Sequence, residues 1–148
     1  VDKKSACADL EAIVSRNRLE LYVHLVWTTW DRTPVIDEAT EQWLWPAIAA
    51  KARALGSDRV VVGGVDDHVH IITELPPTVA VATLVKHLKG ASSRLASARL
   101  GPDSLRWQHG YGAFTVPKAA LPDVEAYVRN QRLAHNAVDP SARLDLEP

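Results

Sequence analysis

The chain has 148 residues, 47% hydrophobic and 24% charged, with a formal net charge of -1. That suffices for one domain with a real core, not two, and no apolar run approaches the ~18 residues of a membrane span. A single cysteine, Cys7, excludes an internal disulfide and a cysteine-cluster zinc site, and with no signal-peptide pattern the expected location is the cytoplasm.

Residues 1–18 are polar, with a short apolar rhythm at Leu10, Ile13 and Val14, and read as an N-terminal extension without an assigned function. The alternation Leu19, Leu21, Val23, Leu25, Trp27 then predicts a strand over 19–29 with that face buried. Its other face carries His24, either a structural histidine or one brought near a site by a neighbouring strand. Trp30-Asp31-Arg32-Thr33-Pro34 reads as a loop whose Trp30 and Arg32 are either simply exposed or contacts for nucleic acid. Asp37 as N-cap and Gly56 as stop predict a helix with Leu44, Ala47, Ile48 and Leu55 as its apolar stripe. Pro46 inside it predicts a kink or two short segments, because proline removes a backbone hydrogen bond.

Two strands follow, 59–65 and 68–75, joined by the tight turn at Asp66-Asp67. His68 and His70 lie two apart on the second. Strand side chains alternate, so both imidazoles project from one face, about 7 Å apart at the backbone. By itself His-Val-His fits a solvated strand face, half of a metal site, or an acid/base pair. After Pro76-Pro77, apolar residues at 84, 88, 91, 95 and 98 predict a helix over 81–100. Lys86, Lys89 and Ser93 share another face of it, either plainly solvated or able to position phosphates.

The stretch Trp107–Val116 interleaves aromatics with glycine and ends as a strand, suiting either base stacking or a close backbone approach. A last helix over 121–136 carries Tyr127, Gln131 and His135, each four apart and so on one face, and residues 138–148 read as an irregular C-terminal tail. Despite the near-neutral total, Lys86–Arg132 holds eight basic residues against Asp103, Asp123 and Glu125. This is either a scatter of solubilising charges or a local potential that attracts a phosphate backbone. The element order βαββαβ plus a final helix predicts an α+β, ferredoxin-like domain over 19–137, with an antiparallel sheet, helices on one face, and the first and third strands central.

Four stretches, in this order and spacing, resemble the single-tyrosine HUH transposases of the insertion sequence 200/605 family, including the repeat-associated tyrosine transposases. They are Asp67-His68-Val69-His70, Leu84–Arg94, Trp107–Val116 and Tyr127-Val128-Arg129-Asn130-Gln131. The resemblance covers about Leu21 to His135. It implies a ferredoxin-like homodimer that cuts and rejoins single-stranded, hairpin-forming DNA through a 5′-phosphotyrosine intermediate, with no membrane involved. By position it implies Tyr127 as nucleophile and His68, His70 and Gln131 as ligands of a divalent metal. It also implies that the tyrosine helix of one subunit can complete the site of the other. Two imidazoles and an amide oxygen suit Mn²⁺ better than Mg²⁺, either being usable, and Zn²⁺ would need a fourth protein ligand. Lys86, Lys89, Ser93, Arg94 and Arg129 are the candidate DNA contacts.

Two other classes stand beside this one. A non-catalytic nucleic-acid-binding ferredoxin-like module would keep a stacking surface and need no metal. A metal-dependent phosphoesterase using His68 and His70 would turn over small substrates without Tyr127 and form no DNA adduct.

Overall fold

The computed structural model describes residues 17–136, so nearly all of the N-terminal extension and the whole 138–148 tail lie outside the described residues, as does the His135 side chain. Four strands, β1 (Tyr22–Thr28), β2 (Val60–Val65), β3 (His68–Glu74) and β4 (Gly112–Thr115), form one sheet in the order β2-β3-β1-β4. Every neighbouring pair is antiparallel, and β1 and β3 are the central pair. Helices α1 (Glu38–Ala54) and α2 (Val81–Leu100) pack together, and α3 (Leu121–Arg129) and α4 (Gln131–Asn136) close the described chain. This is the ferredoxin-like arrangement expected from the element order. Among the described residues no helix is long and apolar enough to cross a membrane.

Strand alternation sorts the molecule into two cores. Val23, Leu25, Trp27, Val69 and Ile71 meet Leu44, Ile48, Leu84 and Leu88 of α1 and α2 in the larger one. On the opposite sheet face Val61 and Ile72 meet Val116, Leu121 and Val128. The final helix therefore covers the sheet face that α1 and α2 leave open. Gly63 makes this possible. A Cβ there would lie 1.9 Å from the Val128 carbonyl oxygen, so helix backbone rests directly on strand backbone.

Several boundaries differ from expectation for identifiable reasons. The first strand starts at Tyr22, and Leu19 and Leu21 are exposed. The α1 helix begins as predicted, with the Thr40 amide donating to the Asp37 carboxylate at 2.7 Å. It runs unbroken through Pro46. Pro46 lies on the exposed side, so the carbonyl it leaves unbonded faces water. In α2 the buried set is Leu84, Val85, Leu88, Ser92 and Ala96, and Ala98 is exposed. The stretch 107–116 ends as a strand, as expected, with β4 its last four-residue ladder and Trp107 making an isolated bridge to Thr29.

The final helix is not continuous. Asn130 leaves the helical region (φ -103°, ψ 22°), dividing α3 from α4. The carbonyl of Tyr127, near that end, accepts a hydrogen bond from Gln131 Nε2 at 3.3 Å.

Candidate active site under the tyrosine helix

Register brings the chemistry-bearing residues together. His68 pairs with Thr28 and Val65, and His70 with Val26 and Gly63, so both rings point to the face covered by α3. Each histidine is only 1% exposed. Of the readings open for His-Val-His, the solvated strand face is ruled out: the tyrosine helix lies over both rings. Their ring centroids are 5.1 Å apart at 76°.

Each ring is held through Nδ1. His68 Nδ1 lies 2.8 Å from Asp67 Oδ1. Asp67 Oδ2 in turn accepts from Arg32 Nε at 3.1 Å. Burial works against the Asp67 charge, yet the hydrogen bond from His68 and the Arg32 guanidinium outweigh it and hold the carboxyl below its ordinary pKa. The Arg32 side chain reaches Asp67 from a tight turn in which Asp31 and Arg32 both take left-handed φ values, 53° and 51°. His70 Nδ1 is 2.8 Å from His24 Nε2, so His24 belongs to the site as a partner of His70. With both Nδ1 atoms engaged, Nε2 is the nitrogen through which either ring would ligate a metal.

The third element is α3. The Tyr127 ring stands edge-on to His70, centroids 5.9 Å apart at 80°. Gln131 is 1% exposed, and its Oε1 is buried with no hydrogen-bond partner among the described residues. An orphaned buried acceptor costs about 1–3 kcal/mol, a cost that a bound cation would remove. Among the described residues no group of three His, Cys, Asp or Glu is placed to hold a metal. Gln131 Oε1 offers an oxygen donor beside the two imidazoles, and these residues fit a divalent ion with nitrogen and oxygen donors.

Ion pairs fix the helix where it lies. Buried Glu125 accepts from Arg59 Nε at the end of β2. Arg132 reaches Glu41 of α1 at 2.8 Å, Asp66 of the turn at 2.7 Å and the Ile36 carbonyl at 2.9 Å. The chain thus places Tyr127 against its own His70. The short link after Val116, including a 3-10 turn at Lys118–Ala120, is long enough for this.

The candidate DNA contacts fare differently. Lys86 and Arg94 are exposed on α2. Lys89 donates to the carbonyls of Gln108, His109 and Gly110 at 2.6, 3.3 and 2.9 Å, so its ammonium holds that loop in place. Burial lowers its pKa. Ser93 Oγ bonds back to the Gly90 carbonyl, and Arg129 lies 3.7 Å from Glu125 on its own helix. Of the two readings open for His24, the structure bears out the one in which a neighbouring strand brings it to the site. Asp67 and Arg32 are site partners that sequence reasoning misses, and only Asp67 carries a signal, standing immediately before the histidine pair.

A ferredoxin-like sheet with a tyrosine helix laid over a histidine strand defines a recognisable class. The family model "Transposase IS200 like" matches residues 17–131. The ISDra2 transposase TnpA of Deinococcus radiodurans is 26% identical over 119 residues, covering 76% of this chain and 84% of that protein. A transposase for insertion sequence element IS200 from Salmonella typhimurium is 30% identical over 71 residues, 44% of this chain and 46% of that one. Among solved structures, a Deinococcus radiodurans transposase superposes with a TM-score of 0.62 at 24% identity, covering 78% of this chain and 95% of that chain. A REP-associated tyrosine transposase bound to a REP hairpin gives 0.56 at 15% identity, over 83% and 75%. The chain belongs to the IS200-like transposase family.

Proposed function

We propose that this transposase cleaves and rejoins single-stranded DNA through Tyr127, with Mg²⁺ or Mn²⁺ held by His68, His70 and Gln131. The observation that carries the reading is the Tyr127 ring against His70, with the orphaned Oε1 of Gln131 buried one helical step away. The phenol loses its proton and its oxygen attacks phosphorus. The bond from phosphorus to the 3′-oxygen breaks, leaving a 5′-phosphotyrosine, and the departing oxygen takes a proton to become a 3′-hydroxyl. Attack by a 3′-hydroxyl reverses the step without an external energy source. A divalent cation at this site supplies charge neutralisation on the phosphoryl oxygens. Asp67 and His24 keep the two imidazoles in one tautomer and orientation, and Arg59 and Arg132 hold the helix that carries the nucleophile.

The structure of a relative bound to a REP hairpin supports a hairpin-forming strand as substrate. Exposed Lys86, Arg94 and Arg129 are the proposed phosphate contacts, with Lys89 and Ser93 shaping the surface between them. The protein would act on DNA in the cytoplasm, as a homodimer. Supporting the dimer, β4 is an edge of the sheet and its Phe114 is 54% exposed, the kind of edge a second chain can cover. A phosphoesterase independent of Tyr127 has less support, since it leaves the tyrosine beside His70 without a task.

The test uses hairpin oligonucleotides with single-stranded flanks, Mn²⁺ and a denaturing gel. A covalent protein–DNA band that EDTA suppresses is expected, and strand cleavage with no such band would overturn the tyrosine mechanism. The outer partners have their own prediction. Asp67→Asn or His24→Phe should weaken Mn²⁺ binding about 10–100-fold in calorimetry with the fold retained. Unchanged affinity in both would remove them from the site.

A further inference from the structure

Three stretches left aside by the chemistry meet at a second cleft, of about 560 Å³, between α2 and the segment that leads into β4. That volume falls within the range of about 300–1,000 Å³ usual for small-ligand sites, and it has no room for a duplex. Trp30, His109 and Tyr111 supply aromatic wall, and Lys86 and Arg106 supply positive charge. Gly90 and Ser93 of α2 leave the space between them open.

The aromatic wall is held in position. Trp30 remains 39% exposed. Its amide donates to the Arg106 carbonyl at 2.8 Å. The Arg106 guanidinium lies 4.9 Å from the indole centroid, and the His109 ring stands edge-on at 5.6 Å. The opposite wall is fixed by Lys89 through the carbonyls of residues 108–110, and by Trp107 Nε1 donating to Ser92 Oγ at 2.8 Å. An exposed indole in a rigid basic frame selects a flat ring that carries a negative charge. Asp103 also lines the cleft, and the cations at Lys86 and Arg106 outnumber it.

Position narrows the ligand further. Trp30 directly follows Thr29, whose amide donates at 2.8 Å to the carbonyl of Asp67, the residue before His68. The turn that carries Trp30 is thus tied to the strand end that carries His68. We propose that the cleft receives one unpaired nucleotide of the substrate strand, its base against Trp30 and its phosphate toward Lys86 and Arg106. This rests on the single-stranded DNA reading above and adds to it a subsite separate from the reacting phosphate.

The test measures binding by fluorescence anisotropy, in EDTA so that no cleavage intervenes. The probes are a fluorescein-labelled dT12 and an abasic dodecamer with the same phosphates, and the protein is the full chain. Stacking tolerates any base, so Trp30→Ala should bind dT12 about tenfold more weakly than wild type, with Trp30→Phe keeping most of the affinity. Wild type should lose a similar factor on the abasic strand, and Trp30→Ala should lose little more. Lys86→Gln, on an exposed helix position where folding is not at risk, should weaken both probes and flatten the salt dependence. Equal dT12 binding by wild type and Trp30→Ala, or equal wild-type binding of both probes, would overturn the subsite and leave the tyrosine chemistry standing. No binding of dT12 by wild type would overturn the single-strand reading and the subsite with it.

Discussion

Tyr127→Phe is expected to bind hairpin DNA as wild type does and to lose covalent adduct formation by more than about a thousandfold, because one oxygen is removed and it is the nucleophile. The ring remains to pack against His70, so the melting temperature should stay close to that of wild type. An adduct formed by Tyr127→Phe would transfer the role to another residue. The same variant reports on how sites are shared in a dimer. The chain here brings Tyr127 to its own His70, so mixing Tyr127→Phe with His68→Gln subunits should recover no activity. When sites are built within one chain, every site carries one of the two defects. Recovery on mixing would mean that the tyrosine helix exchanges between subunits, as the family resemblance allows. His68→Gln is preferred to alanine because the ring is buried and bonded to Asp67, so truncation would also cost packing.

The second large effect comes from a residue with no side chain. Gly63→Ala places a methyl group 1.9 Å from the Val128 carbonyl oxygen and 2.8 Å from its carbon, far inside van der Waals contact. Neither the central sheet nor helix backbone can yield locally, so α3 must lift away from β2. A displacement of about 1 Å in a reacting group can cost on the order of a hundredfold in rate. Adduct formation should fall by at least that factor. Binding of Mn²⁺ should weaken less, since His68 and His70 stay on β3 and only Gln131 moves. Full adduct formation by Gly63→Ala would show that the close packing of helix on strand is not what positions Tyr127.

Much of the frame is legible in the sequence. It predicts Val81–Leu100 with the observed boundaries, since a 20-residue helix closed by Gly101-Pro102 repeats its apolar positions many times. The histidine strand was equally plain, its alternation framed by Asp66-Asp67 and Pro76-Pro77. Less legible were the elements whose residues answer to distant partners. The α2 stripe was read through Ala91, Leu95 and Ala98, whereas the structure buries Ser92 and Ala96, with Ser92 Oγ bonded to the Leu88 carbonyl and to the Trp107 indole. The aromatic run ends as a strand as its composition predicts, but the sequence does not show that the part before β4 is a loop held by Lys89 from a helix some twenty residues earlier.

The sequence by itself determined the periods and the order: which residues alternate, which recur every three or four, and hence a βαββαβ frame with two histidines on one face of a central strand. It also placed Tyr127 and Gln131 four residues apart, although the break at Asn130 leaves their final relation to the tertiary packing. Only the tertiary structure decided that α3 covers the histidines instead of leaving them to water, that His24 and Asp67 hold their rings, and that Lys89 faces inward. Those outcomes depend on strand register and on a backbone contact at Gly63, where residues 65 positions apart approach to atomic distance. Periodicity records which side of an element is apolar; it carries no information about which distant element will arrive to cover it.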